Sequence, residues 1–199
     1  MSRSQLELCR GLHDLGAVKF GRFTLKSGAV SPVYIDLRLL VTEPSFLAVV
    51  AQAYAELLAP LSFDRLAAIP YAALPIGTAV ALATGRPMIY PRREVKEHGT
   101  RQTIEGRFQP GETVVVLDDL ISSGDSKLEA IAPLVAAGLV VRDVVVLIDR
   151  LGGGGETLRE RGYRLHSVLT LADIAATLAA DGRLSAEREA EVTAYLRPT

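Results

Sequence analysis

An α/β fold with a mainly parallel sheet and helices on both faces is the architecture that this 199-residue sequence predicts, and three observations carry it. The apolar runs RLAAIP, RPMIY, TVVVL and VVRDVVVLI are short and mostly continuous rather than alternating, as in strands buried on both faces. Stretches with helical spacing separate these runs, so each strand returns to the sheet through a crossover. Gly and Pro punctuate the joints, most heavily in the GGGG turn at residues 152–155.

In chain order, residues 3–15 carry Leu6, Leu8, Leu12 and Leu15 at helical spacing. The single cysteine, Cys9, lies among them, so no internal disulfide is possible and a packed thiol in a reducing compartment is expected. Arg3, Glu7, Arg10 and Asp14 interrupt this apolar face, which is wrong for a secretory signal, and a cytoplasmic location is expected. VKFGRFT and SPVYIDLR read as short strands joined by a Gly/Ser turn. Thr42-Glu43-Pro44 starts a helix that runs to about residue 58, with proline tolerated in the first turn.

Next come the strand RLAAIP, a helix over residues 75–84 and the strand RPMIY. The polar stretch PRREVKEHGTRQTIEG reads as a loop long enough to need a purpose. A strand at 113–117, a helix at 123–137 closed by Gly138, and a strand at 140–148 follow. After the GGGG turn come a short helix ending at Gly162, the strand YRLHSVL, a helix opening at Thr170 with Asp173 three residues on, and a last helix from Ser185. With no internal repeat or low-complexity linker, residues 1–199 are expected to form one domain.

A formal net charge of -1, with 49% hydrophobic and 23% charged residues, argues against a polyanion binder, so no nucleic-acid partner is expected. Residues 66–85, LAAIPYAALPIGTAVALATG, are apolar enough to suggest a membrane span. Pro70, Pro75 and Gly77 break that span and suitable flanking anchors are missing, so a buried strand, turn and helix is the better reading and no membrane partner is expected.

The candidate chemistry sits where the most hydrophobic strand ends in two adjacent carboxylates, Asp118 and Asp119. Like charges so close repel, and burial worsens the repulsion, so a cationic or hydroxyl-rich group is expected nearby. In parallel α/β sheets ligands bind beyond the carboxyl ends of the strands, where these acids are expected to fall. Ser122-Ser123-Gly124-Asp125-Ser126 then opens a helix, whose free N–H groups can cradle a phosphate while the acids accept hydrogen bonds from sugar hydroxyls. Phosphate on the turn and a diol on the acids describe a ribose 5-phosphate. The plainer alternative is a helix capped by Ser or Asp. Neither a G-x-G-x-x-G after a strand nor a G-x-x-x-x-G-K-[ST] is present.

The run V-V-V-L-D-D-L-I-S-S-G-D-S, residues 114–126, resembles the phosphoribosyl diphosphate (PRPP) motif of type I phosphoribosyltransferases. FTLKSGAVSPVYIDLR at 23–38, RREVKEHGTRQTIEG at 92–106 and IDRLGGG at 148–154 resemble, in the same order, the substrate segment, mobile loop and a further segment of orotate phosphoribosyltransferases. The resemblance implies a phosphoribosyltransferase fold with a small hood from about residues 1–40 and 170–199. It also implies Mg²⁺-dependent transfer of ribose 5-phosphate from PRPP to orotate, giving orotidine 5′-monophosphate and pyrophosphate in pyrimidine biosynthesis.

Residue by residue, the resemblance places orotate near Lys26, the backbone of Tyr34 and Ile35, Ser122 and Arg150. It places PRPP near Lys26, Tyr71, Ala72, Arg92, Arg93, Lys96, His98, Asp118, Asp119, Leu120, Ile121, Ser122, Ser123, Gly124, Asp125 and Ser126. Lys96, Asp118 and Asp119 are the implied catalytic residues, with Mg²⁺ held mainly by PRPP and water and Asp118 and Asp119 as candidate direct ligands. A guanidinium such as that of Arg150 can hold the orotate carboxylate in a fork, although alone it reads as a surface ion pair with Asp149. Arg92, Arg93, Lys96, His98 and Arg101 alone read as solvated charge; opposite a diphosphate they make a lid that excludes water and stabilises growing negative charge. The resemblance further implies a homodimer in which loop 92–104 is shared between subunits.

Two departures stand out. Where many bacterial relatives carry Tyr-Lys, this sequence has Tyr71-Ala72, a variant that resembles the domain of bifunctional UMP synthases, and Arg93 stands where lysine is common. The decarboxylase of those bifunctional proteins is not expected within 199 residues. His13 and His166 read as structural, the former on a helix face and the latter within a strand. Two rival readings are an enzyme for another base, against which the Lys26 segment argues, and a PRPP-binding regulator, against which the lack of a basic face argues.

Overall fold

In the computed structural model, residues 1–24, 28, 30–93 and 103–196 are described. The chain opens with helix α1 (Arg3–Asp14), strands β1 (Val18–Thr24) and β2 (Val30–Ile35), a 3-10 turn (Leu37–Thr42) and helix α2 (Pro44–Leu58). Alternation follows through β3 (Arg65–Ala68), α3 (Ala73–Thr84), β4 (Met88–Pro91), β5 (Ile104–Glu105), β6 (Thr113–Ile121), α4 (Asp125–Ala136), β7 (Val140–Asp149), α5 (Gly154–Glu160), β8 (Arg164–Thr170), α6 (Leu171–Ala180) and α7 (Ala186–Tyr195).

The main sheet has the order β5-β4-β3-β6-β7-β8, and all its pairings are parallel except β4 with β5. Strand β6 explains why its sequence is continuously apolar. Val115 and Leu117 belong to one core with α1, α2, α3 and α6, while Val114 and Val116 belong to another with Ile131 and Leu134 of α4 and Leu158 of α5. A strand covered on both faces has no side to give to water. Cys9 is fully buried in the first core, and Leu66 to Gly85 form a strand, a turn and a helix. No helix of the described residues is long and apolar enough to cross a membrane.

Hairpin β1–β2 is a separate two-stranded sheet that α7 joins to α6, on which α1 packs. The Gln5 amide group donates to the Val168 carbonyl at 2.9 Å, and Arg10 pairs with Asp181 at 2.6 Å, so the first and last parts of the chain are tied together. Helix α6 starts at a capping box in which Thr170 and Asp173 serve each other's backbone N–H, as their spacing predicts.

Five readings need correction. Strand β6 does not stop at residue 117 but runs through both acids to Ile121, because β7 keeps pairing with it to Asp149. Helix α4 begins at Asp125 rather than 123, and its N-cap is Gly124, with no side-chain cap. The alternative of a Ser- or Asp-capped helix therefore falls. Helix α3 begins at Ala73 rather than 75, and the polar stretch after β4 is a hairpin stem at its ends, with Pro91 opposite Ile104 and Tyr90 opposite Glu105.

Candidate active site

The sheet order places the topological switch between β3 and β6: from β3 the chain proceeds outward to β4, whereas from β6 it proceeds to β7 and β8 on the other side. Such a reversal opens a crevice at the carboxyl ends of the two strands. Here β3 ends at Ala68, opposite Leu117, while β6 continues. The β3-facing side of Asp118 and Asp119 therefore borders a cleft of about 470 Å³ rather than a neighbouring strand. Ile69 to Ala72, Pro91 to Arg93, Arg38 and residues of α4 form its other walls.

The cation expected beside the two acids is Lys127 of α4. It is 6% exposed and ion-paired with Asp118, itself 6% exposed. Tyr54 of α2, fully buried, donates its hydroxyl hydrogen to the Asp118 carbonyl at 2.7 Å and fixes the backbone there. Asp119 accepts the Leu120 N–H at 2.8 Å. Burial first, and the Asp118 charge second, push the Asp119 carboxyl up to about 7, well above the usual carboxylate range.

The turn after β6 is built for close approach. Gly124 has φ +92°, and a Cβ there would come within 3.2 Å of the Gly154 carbonyl. Among the described residues, no backbone hydrogen bond outside the helices and strands is donated by the N–H groups of Ser123 or Gly124, and those of Asp125 and Ser126 are the unpaired first turn of α4. Ser123 donates to Asp125 at 2.8 Å, which shapes the turn. An anion seated here meets several N–H groups and the positive end of α4. Ile121 contributes only its backbone, because its side chain is fully buried in the second core, and Leu120 packs partly against the first.

Of the cationic segment, Arg92 and Arg93 line the cleft. Arg92 is ion-paired with Glu105 across the hairpin stem, and Arg93 lies over the Tyr71 ring at 5.6 Å. Tyr71 and Ala72 form part of the wall opposite the acids. Lys26, Lys96, His98 and Arg101 lie outside the described residues.

A second cavity of about 240 Å³ borders the same turn at Ser122, and Arg150, Leu151, Gly152, Tyr195 and Leu196 complete its lining. Arg150 is not paired with Asp149 as its isolated reading had it. Asp149 accepts the Leu151 N–H at 2.7 Å, the Arg150 guanidinium donates to the Tyr195 hydroxyl at 3.4 Å, and the buried Arg150 Nε has no partner among the described residues. A guanidinium held this way can take a planar carboxylate. Tyr34 and Ile35 are not among the described residues lining either cavity; Tyr34 is exposed on β2 with its ring 5.6 Å from that of Phe23.

Both Asp118 oxygens are engaged, one by Lys127 and one by the Asp119 N–H at 2.9 Å. Among the described residues no group of three or more His, Cys, Asp or Glu could cage a metal ion. This donor set would suit a Mg²⁺ that is held mainly by phosphates and its own waters, Asp119 being the more accessible of the two carboxylates.

Sequence reasoning missed Lys127, Tyr54, Arg38 and Tyr195. Lys127 had a signal: it stands with Ile131 and Leu134 at i, i+4 and i+7, so a lysine occupies the buried stripe of α4. Arg38 closes one of the resembling segments and pairs with Asp36 at 2.6 Å at the cleft mouth. His166 pairs with Asp143 at 2.8 Å, away from both cavities, as its structural reading requires.

No protein-family model matches the chain. It is 46% identical over 188 residues to the bifunctional enzyme PyrF/PyrE of Nostoc, covering 94% of this chain and 39% of that protein. It is 36% identical over 194 residues to an orotate phosphoribosyltransferase of Caenorhabditis elegans, covering 96% of this chain and 86% of that protein. Among solved structures, UMP synthase of Leishmania donovani superposes with a TM-score of 0.89 at 44% identity over 96% of this chain and 42% of that one. Orotate phosphoribosyltransferase of Mycobacterium tuberculosis in complex with PRPP superposes with 0.73 at 30% identity over 86% and 98%. The chain thus spans about two fifths of the bifunctional relatives and most of the single-function ones. A relative 36% identical and matched along 86% of its own length, with the fold shared by a solved orotate phosphoribosyltransferase, means that this chain belongs to the orotate phosphoribosyltransferase family.

Proposed function

We propose that the protein transfers the ribose 5-phosphate group of PRPP to orotate, releasing pyrophosphate and orotidine 5′-monophosphate. The observation that carries this is the turn at residues 122–126, which lines the carboxylate cleft through Ser126 and the Arg150 cavity through Ser122. A 5-phosphate seated on the turn puts the sugar over Asp119, and a flat acidic ring beside Ser122 and Arg150 then faces the anomeric carbon.

The transition state has positive charge on the sugar and negative charge on the leaving diphosphate. Developing positive charge favours the ionised form of Asp119, so this acid binds the transition state better than the resting substrate. Arg93, held over Tyr71 beside Ala72, supplies positive charge on the diphosphate side. Lys96, with Arg92 and His98, completes the lid in this reading, and Lys26 serves both substrates. Asp119 would help hold a Mg²⁺ bound mainly through the diphosphate and water, and that ion would supply neutralising charge for the leaving group. Orotate is already anionic, so no strong general base is required. A regulator that binds PRPP without turnover is the second reading; the Arg150 cavity, suited to a carboxylate, favours the enzyme.

The test is to mix the protein with Mg²⁺, PRPP and orotate and follow the loss of orotate ultraviolet absorbance, with uracil and adenine as controls. Loss with orotate alone supports the proposal; no loss, or loss only with another base, defeats it. Arg150→Ala is expected to raise KM for orotate roughly tenfold, the cost of one charge-assisted carboxylate contact, with KM for PRPP little changed.

The reading includes a cytoplasmic homodimer in which loop 92–104 of one subunit closes over the site of the other, beneath the hood. Mixing Lys96→Ala with Asp119→Asn protein is expected to restore part of the activity that each lacks, because hybrid dimers hold one intact site. A mixture no more active than its components, with subunit exchange verified, would place the loop in its own subunit's site.

A further inference from the structure

The placement of Lys127 is unusual for a lysine. Lysine is strongly hydrated and seldom buried unless paired, yet Lys127 keeps only 6% of its surface exposed. Its ammonium group pairs with Asp118 Oδ2 and donates to Ser126 Oγ at 3.2 Å. Asp118 Oδ1 accepts the Asp119 N–H at 2.9 Å, so both Asp118 oxygens are taken. Asp119 gives Oδ1 to the Leu120 N–H at 2.8 Å and, half-buried where Asp118 is buried, lines the cleft.

Stability alone is a weak reason for such a pair, because well-packed apolar side chains of similar volume are generally as stabilising as a buried ion pair. Position supplies a better one. Lys127 lies one residue past Ser126, at the start of the helix whose N-terminus forms the phosphate turn, and it reaches back to the strand that carries both acids. It therefore couples the turn to the carboxylates. On the reading of the cleft as a PRPP site, we propose that Lys127 is a positioning residue for the sugar: by holding Asp118 against α4 it leaves Asp119 as the carboxylate that meets the ribose hydroxyls.

Because Lys127 acts through Asp118, the two substitutions must be non-additive. The experiment is a double-mutant cycle on the full chain with Lys127→Met, Asp118→Asn and the pair. PRPP affinity is measured by calorimetry with Mg²⁺ and no orotate, and KM for each substrate by steady-state kinetics. Lys127→Met is expected to weaken PRPP binding and raise its KM by roughly tenfold while KM for orotate stays within about twofold, a split that general loosening of the fold would not produce.

Breaking one side of a buried pair can prevent folding, so the paired variant, which removes both charges, carries the decision if Lys127→Met is insoluble. It is expected to bind PRPP no worse than Asp118→Asn alone. Additive losses, unchanged PRPP affinity in folded Lys127→Met, or a paired variant clearly weaker than Asp118→Asn would each overturn the proposal. If the unmodified protein bound no PRPP, the reading of the cleft would fail and this assignment with it, an outcome distinct from normal binding in all variants.

Discussion

Asp119→Asn is expected to lower kcat/KM for PRPP by roughly two to three orders of magnitude, as for a lost transition-state contact, and to melt at a higher temperature than the unmodified protein at pH 8. The two effects share one cause. Asp119 is desolvated beside Asp118, which raises its carboxyl from an ordinary value of 3.8 to about 7. A raised carboxyl means that the folded state holds a proton which the unfolded chain has already released. Stability from this group is therefore full below the unfolded value, and it falls as pH rises until it is lost above about 7. At pH 8 the folded protein bears the cost of a charged, crowded Asp119, a few kcal/mol at most, which asparagine does not incur. The gain in melting temperature should be several degrees at pH 8 and should shrink toward nothing near pH 4. Scanning calorimetry of both proteins across that range checks it. A variant that is less stable at pH 8, or an advantage that does not depend on pH, would mean that Asp119 is not strained by charge; normal kinetics would mean that the ribose lies elsewhere.

That strain is also what made the site legible. Two acids closing an apolar run are a cost that a fold does not carry without use, and the cost can be seen in residues alone. The fold was legible where a signal is local: the doubly buried run of β6, the Thr170/Asp173 capping box and proline in the first turn of α2. What escaped depends on contacts between distant segments. β6 extends through polar residues because β7 continues beside it, and β5 has two residues, too few to show a period. Tyr54 looked like one apolar residue among many in α2; its role is a hydrogen bond to Asp118, 64 positions away. Lys127 was visible as a charge in a buried stripe, but only the structure names its partner. Arg38 and Tyr195 reach the cavities from segments whose periodicity says nothing of ligands.

The GGGG turn is the case in which a motif was noticed and its reason was tertiary, and it supports the second large effect. Gly154→Ala is expected to destabilise the protein by about 3 kcal/mol or more, at the severe end for overpacking, and to disable phosphate binding in any fraction that folds. A Cβ at Gly154 would stand 2.5 Å from the Ser122 carbonyl oxygen and 2.6 Å from Ile121 Cγ1. The oxygen belongs to the backbone of the turn at residues 122–126, and Ile121 is locked in the second core, so neither can move away cheaply. Flexibility at Gly154 itself is not at issue; the close approach is. Gly153, with φ +84°, has open space around its missing Cβ, so Gly153→Ala tests backbone conformation alone and should cost about 1 kcal/mol. Denaturant unfolding of the two variants separates packing from conformation, and PRPP calorimetry on the folded fraction shows whether the turn is displaced. If Gly154→Ala proved as stable as Gly153→Ala and bound PRPP normally, the turn at residues 122–126 would not be seated on these glycines, and the shared wall between the two cavities would have to be drawn differently.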